Sequence, residues 1–250
     1  MEAYITERFG SVYNGTLWKR SLLDINKVQR YNIMENNHEV IIMLKELLER
    51  YPQLKSIEND IEAAADAIIA CYENGGKILL CGNGGSCADC DHIVGELMKG
   101  FLKLRPMSDS KKEEMKKNCP LLDDETLSKL QEALPAVSLP SITALNSAFC
   151  NDVDPELIYA QPIMSLGRKG DILIGISTSG NSKNVFGAVK VAKGLGLTVI
   201  GLTGQGGGKL KENADICICA PETETFKIQE LHLPIYHYLC AKTESHFYSE

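Results

Sequence analysis

Four residues at helical spacings are the part of this 250-residue chain best equipped for chemistry. His92 and Glu96 stand at i and i+4, on one face of a helix. Gln229 and His237 lie two turns apart in ETETFKIQELHLPIYHYLC, broadly on one face as well. Two imidazoles, a carboxylate and an amide oxygen could hold Zn²⁺ or a similar ion. They could equally supply a general base and acid near neutral pH. Taken singly, each has a plainer reading as a surface or satisfied residue, and His38, His232 and His246 are left in that class. Pro234 removes a helical bond to the Glu230 carbonyl and is expected to kink the helix just before His237.

Two loops could bind an anion. Cys81-Gly-Asn83-Gly84-Gly85-Ser86 follows an apolar run and opens a helical pattern, so free N–H groups and the positive end of the helix dipole meet there. Glycines allow close backbone approach, and Ser86 adds a hydroxyl. Ser177-Thr178-Ser179-Gly-Asn-Ser182 is placed in the same way after another apolar run, with hydroxyls in place of most of the glycines. Either loop alone is a weak signal; two at the carboxyl ends of strands in one sheet are a better one. The first lacks the third glycine of a dinucleotide fingerprint, and no Walker loop is present, so a phosphomonoester is preferred. Gly204–Lys209 reads as a turn. Cys87-Ala-Asp-Cys90 has no partner pair for a structural zinc. Its place at a helix start could lower a thiol pKa, but the plainer reading is helix packing.

The elements that must hold these groups follow from patterning. Apolar residues recur at helical spacing over Met34–Arg50 and Ile57–Asn74. Short apolar runs at Lys77–Cys81, Asp171–Ile176, Leu197–Thr203 and Asp215–Cys219, with a weaker one at Ala136–Leu139, lack polar alternation and alternate with helices. That pattern predicts five parallel strands in a doubly wound α/β sandwich. Residues 1–33 form an N-terminal extension without clean periodicity, and 34–250 one domain. The charged stretch 101–136 is an insertion, expected to be helical. Ser110–Glu113 suits a capping box, and Asp123 or Asp124 suits a cap for a helix through Leu127, Leu130 and Leu134. A solvated surface insertion is preferred to a lid.

Composition bounds the rest. A net charge of −7 argues against broad binding to nucleic acid or anionic membrane. Nine cysteines without framework spacing suit reduced thiols in a cytoplasmic protein. The first residues, MEAYITERFGSVYNG, have no apolar core of a secretory signal, and no apolar run approaches the ~18 residues of a membrane span.

Together, CGNGGSCADCDHIVGEL, GDILIGISTSGNSKNV, LTGQGGGKL and IQELHLPIYH resemble the sugar isomerase (SIS) domain and, within it, the phosphoheptose isomerase family, over about Met34–Cys240. The resemblance implies an SIS-type three-layer sandwich with N-terminal helices and a homotetramer with sites between subunits. It also implies conversion of sedoheptulose 7-phosphate to D-glycero-D-manno-heptose 7-phosphate through an enediol. By motif position it makes Glu96 and His237 the acid–base pair. Ser86, Ser177, Thr178, Ser179 and Ser182 become phosphate binders, with Gly84 and Gly85 in the cradle. Asn83, Asp152 and Gln229 become contacts to sugar hydroxyls, and His92, Glu96, Gln229 and His237 ligands of Zn²⁺. A metal-bound carboxylate or imidazole is a poorer base, so the double role is a tension. Three departures touch the sugar's identity: Lys99-Gly100-Phe101 where the family usually carries an arginine, Thr225-Phe226-Lys227 without an aspartate found in some members, and the long insertion. The alternatives are an isomerase for another sugar phosphate, or a non-catalytic SIS adaptor, against which Glu96 and His237 argue.

Overall fold

A computed structural model describes residues 42–248; the N-terminal extension and the start of the first expected helix lie outside them. Helix α1 occupies residues 42–50, and the 3-10 turn Pro52–Ile57 leads into α2 (Glu58–Glu73). The second expected helix, Ile57–Asn74, is α2 to within a residue at each end, and the tighter turn that Pro52 opens precedes it.

Five parallel strands follow: β1 (Ile78–Gly82), β2 (Ala136–Ser138), β3 (Ile172–Ile176), β4 (Thr198–Gly204) and β5 (Ile216–Ala220), in the order β2-β1-β3-β4-β5. Every residue of β1 and β3 is buried, which is why their sequences show no polar alternation. Side-chain alternation divides the apolar residues between two cores. Ile78, Leu80, Ile172, Ile174, Ile200 and Ile218 face α2, α3 (Gly85–Met98) and α10 (Thr225–Phe247). Leu79, Leu173 and Val199 face α7 (Ala160–Leu166), α8 (Lys183–Gly194) and α9 (Gly208–Asn213). The result is the three-layer sandwich expected. At the entry edge, the buried Asp171 accepts from the Lys77 backbone N–H at 3.0 Å and pairs with Lys77 Nζ at 2.6 Å, setting β1 against β3.

The chain goes from β1 to one neighbour, β2, and then crosses to the other, β3, so the direction of winding reverses between β1 and β3. The crevice beyond the carboxyl ends of those two strands is where open α/β sheets accept ligands. Both candidate anion loops leave from it.

The charged insertion is helical, as α4 (Asp109–Asn118) and α5 (Asp124–Lys129), ahead of α6 (Thr143–Asp152) beyond β2. Two boundaries differ from expectation. Ser108, with an extended backbone, caps α4 by accepting from Lys111 N, so Ser110 already lies inside the helix. Asp123 caps α5 through Thr126 N at 2.6 Å, but the helix stops at Lys129 and does not reach Leu134. Helix α4 buries no residue, as a surface helix should. The stem is different. Arg105 and Glu244 are both fully buried and paired at 2.7 Å; Glu244 also accepts from Phe101, Leu102 and Lys103 N–H groups, and Arg105 donates to the Leu97 and Glu96 carbonyls. Nothing in the charge pattern distinguished this arginine from its solvated neighbours.

Candidate active site

The first loop is built for close approach. Gly84 precedes α3 at φ +58°, a conformation that favours glycine, and no side chain caps that helix. A Cβ on Gly82 would meet the Ser86 backbone at 2.7 Å, and one on Gly85 would meet Gln229 Nε2 at 2.5 Å. Ser86 itself is buried in the turn, bonding Asn83 O through its N–H. The second loop starts at Ser177, whose N–H bonds Leu202 O; its hydroxyl shares a hydrogen bond with that of Ser182 at 2.9 Å. Thr178 O accepts from Gly204 N, and Ser179 Oγ accepts from Asn181 N. Gly180, at φ +65°, lies so close to Gly207 that no Cβ fits between them. The glycine run after β4 is thus a turn, as expected, and it backs the second loop. Like α3, α8 begins without a side-chain cap.

Asn83 joins the two loops. Its amide exchanges hydrogen bonds with that of Asn184 at 2.8 and 2.9 Å, and its oxygen accepts from Tyr159 OH at 3.0 Å. The uncapped starts of two helices therefore face one crevice, with the hydroxyls of Ser177, Thr178, Ser179 and Ser182 around it. Asp152 stands exposed at the end of α6 and accepts from Asn151 Nδ2, and no described contact joins it to either loop.

Seven residues along α3 from Gly85, about 10 Å at the helical rise, three side chains converge. His92 Nε2 lies 3.1 Å from Glu96 Oε1 and 3.4 Å from His237 Nε2. Glu96 is mostly enclosed, and its Oε2 is buried without a hydrogen-bond partner, with the Lys99 ammonium at 3.6 Å. Burial, reinforced by the neighbouring His92, holds the His237 imidazole below its ordinary pKa. On the far side of His92, Tyr236 OH lies 2.9 Å from Nδ1 and donates to Asp89 Oδ1 at 3.3 Å. Burial, then Asp89, keeps the Tyr236 phenol protonated.

Gln229 is not in this cluster. It lies over Gly85, and eight residues, about 12 Å of helix, separate it from His237. Helix α10 continues through Pro234 without a break. The donors His92, Glu96 and His237 are of zinc-binding type, yet among the described residues no three His, Cys, Asp or Glu are disposed as a metal-binding group. His232 is fully buried, with Nε2 against Thr203 O at 3.1 Å. The Cys87 and Cys90 thiols are pushed up by burial, so the helix start does not activate them.

The SIS domain model matches residues 43–123 and again 144–239. The chain is 35% identical to the phosphoheptose isomerase of Roseiflexus sp. (strain RS-1) over 76% of its length and 83% of that protein. It is 37% identical to the phosphoheptose isomerase of Helicobacter pylori (strain P12) over 81% and 91%. The chain belongs to the phosphoheptose isomerase family. Solved structures agree. That of the Neisseria gonorrhoeae phosphoheptose isomerase superposes with a TM-score of 0.61 at 32% identity, covering 87% of this chain and 99% of that one. For the Francisella tularensis phosphoheptose isomerase the TM-score is 0.62 at 30% identity, over 88% and 97%.

The two matched ranges cover β1, β3, β4 and β5, both loops and α10 as far as residue 239. The motif reading gave no role to Tyr236 and Asn184, which lie within the motifs, or to Tyr159, which lies outside them; each bonds a motif residue. Asp89 was the one with a readable signal, at i−3 from His92 on the same helical face.

Proposed function

We propose that this family member interconverts sedoheptulose 7-phosphate and D-glycero-D-manno-heptose 7-phosphate. The observation that carries the reading is Glu96: a carboxylate oxygen buried without a hydrogen-bond partner, in one cluster with His237, whose imidazole burial holds below its ordinary pKa. Such an oxygen gains most by taking a proton, as a general base does. The phosphate rests at the uncapped starts of α3 and α8, with Ser86, Ser177, Thr178, Ser179 and Ser182 around it. About 16 Å of helix between Gly85 and Glu96 leaves the sugar chain to bridge from phosphate to reacting carbons. Glu96 removes the proton from C1 of the ketose and returns it to C2. The C1–H electron pair becomes the double bond of the enediol, while His237 exchanges protons with the two oxygens. Asn83 and Gln229 line the path between.

Zinc belongs to the same proposal. His92, Glu96 and His237 would hold it; Glu96 Oε2 has no hydrogen-bond partner and the donor types suit the ion, although the three side chains would have to reorient to ligate it together. When bound, it would polarise the substrate carbonyl.

The test is a coupled assay on purified protein against a panel of ketose phosphates, with and without chelator. Glu96→Gln should lose turnover by at least about a hundredfold while still binding the sugar phosphate. A variant that retains turnover, or a wild-type protein inert on every ketose phosphate, refutes the assignment. The panel is needed because Asp152 makes no described contact with either loop and Lys99-Gly100-Phe101 lacks the expected arginine.

A homotetramer with sites between subunits is part of the proposal. It is supported by an open groove of about 460 Å³ beside His237, lined by Met43, Leu47, Tyr51, Phe101 and Leu233. Light scattering on a size-exclusion column checks it. We place the enzyme in the cytoplasm, where nine unpaired thiols stay reduced. No helix among the described residues is long and apolar enough to cross a membrane.

A further inference from the structure

The cradle brings no positive charge of its own. Ser86, Ser177, Thr178, Ser179 and Ser182 are neutral and the chain carries a net −7, while a phosphate monoester brings roughly −1.5 to −2 at neutral pH. Such a protein repels a dianion at a distance, so a local cation has to offset the field at the mouth of the crevice. Two nearby lysines are already neutralised. Lys183 follows the second loop directly but pairs with Glu156 at 2.7 Å, and Lys193, in the last turn of α8, pairs with Asp215 at 2.7 Å.

Lys190 and Lys209 are different. Both are exposed, and neither enters an ion pair among the described residues. Each places its ammonium 5.6 Å from the centre of the same ring, that of Phe186. The Phe186 N–H bonds Ser182 O, so this ring stands one turn from the second loop. Side chains of a helix lean towards its N-terminus, and Lys190, four residues beyond Phe186, leans back over the ring and so towards the loop. Lys209 arrives from α9. Its N–H bonds Asn181 Oδ1 at 3.2 Å, and its neighbour Gly208 packs so tightly on Ser179 and Gly180 that no Cβ fits. A lysine carries its charge no farther from its own backbone than about one Debye length, about 10 Å at 0.1 M salt. The Lys209 ammonium is therefore within electrostatic reach of the loop. Glu212, on the same short helix, is offset by Lys211. Two like charges gathered on one ring repel each other; the ring quadrupole holds them there, and an arriving dianion relieves the repulsion.

We propose that Lys190 and Lys209, held over Phe186, are positioning residues for the substrate phosphate: they draw the dianion to the second loop, whose hydroxyls and N–H groups then bind it. The inference rests on the reading of the two loops as a phosphate cradle. Both lysines act on binding and leave the proton transfer at Glu96 untouched.

The experiment follows the ³¹P line width of dilute inorganic phosphate titrated with full-length protein, at ionic strengths of about 0.01 and 0.15 M. Lys190→Gln/Lys209→Gln should weaken binding about tenfold at the lower ionic strength and less than about threefold at the higher, as screened charges about 10 Å from a dianion require. Lys190→Arg/Lys209→Arg keeps both charges and should bind as the wild type does. Lys193→Gln removes a charge about 16 Å of helix from Ser182 and should change binding less than about twofold. On the best ketose phosphate the double Gln variant should raise KM in the same proportion and leave kcat within about twofold, the signature of lost binding alone. A double Gln variant that binds phosphate as the wild type does at low salt overturns the proposal. So does an equal loss in Lys193→Gln, which would make net charge and not the pair responsible. If the wild type binds phosphate but turns over no ketose phosphate, the isomerase reading fails while the titration still judges the lysines. A wild type that binds no phosphate at either salt refutes both the cradle and the lysine pair.

Discussion

Removing the Glu244 charge is the perturbation with the largest effect that the fold allows outside the crevice. Glu244 and Arg105 have no exposed side-chain surface and pair at 2.7 Å. The carboxylate also takes three backbone N–H groups, from Phe101, Leu102 and Lys103, while the guanidinium holds the Leu97 and Glu96 carbonyls at the end of α3. Glu244→Ala therefore leaves a buried guanidinium without its counter-ion and three N–H groups without an acceptor. Losing one partner of a buried pair costs about 3–5 kcal/mol. For a domain of this size that is about 6–20 °C in Tm, at 2–4 °C per kcal/mol. Part of the loss should reach the site, because the end of α3 that Arg105 ties down begins one turn after His92, at Glu96. Urea and thermal unfolding followed by circular dichroism, with kcat measured well below Tm, give both quantities. The double variant Arg105→Met/Glu244→Leu removes both charges and should recover at least half of the loss in Tm. A drop below 2 °C for Glu244→Ala, or a double variant worse than the single one, would refute the reasoning.

Two further predictions concern groups outside the reacting cluster. Burial lowers His232 from its ordinary pKa of 6.5 to about 4, so the fold holds it neutral. The unfolded chain binds this proton below pH 6.5 and the native one only near 4, so its contribution is complete above 6.5 and fades as pH falls towards 4. The full loss is about 3 kcal/mol, at 1.36 kcal/mol per unit. His232→Gln should flatten the fall in urea midpoint between pH 7 and pH 4.5, and parallel curves for the two proteins would contradict this. Gly180→Ala adds a Cβ at φ +65° against the Gly207 backbone, which cannot yield as a side-chain tip could. It should raise KM for the sugar phosphate more than about tenfold, the equivalent of ~1.4 kcal/mol; an unchanged KM and Tm would show that the second loop is not held from behind.

The sheet was legible because burial on both faces imposes unbroken apolar runs, and each of the five runs is a strand within a residue or two of its expected bounds. Helix ends were less so. Ser110–Glu113 had the composition of a capping box, but Ser108 sits two residues earlier with the extended backbone a cap needs, and residue types alone do not separate the two. Arg105 was lost in a stretch of charge. Its burial depends on a carboxylate 139 residues away, and no local pattern marks the one arginine that will meet such a partner.

The same distinction explains the site. The motifs named the groups that meet an anion or move a proton, because close backbone approach needs glycine and proton transfer needs a carboxylate or imidazole. They did not sort Gln229 from His237. Both lie on α10, but where they land depends on how α10 crosses α3, and the crossing sets Gln229 over Gly85 and His237 beside His92. Nor did they mark Tyr236, 144 residues from the ring it holds. An acid–base cluster has two layers of information. The reacting groups are constrained by chemistry and show in composition and spacing. The groups that hydrogen-bond to them are constrained only by distance, so a hydroxyl 2.9 Å from an imidazole becomes visible once the helices are packed. The tension between metal ligand and base belongs to that second layer. His92 Nε2 and the Glu96 oxygen lie 3.1 Å apart, and the space between them suits whatever positive charge, proton or cation, comes there.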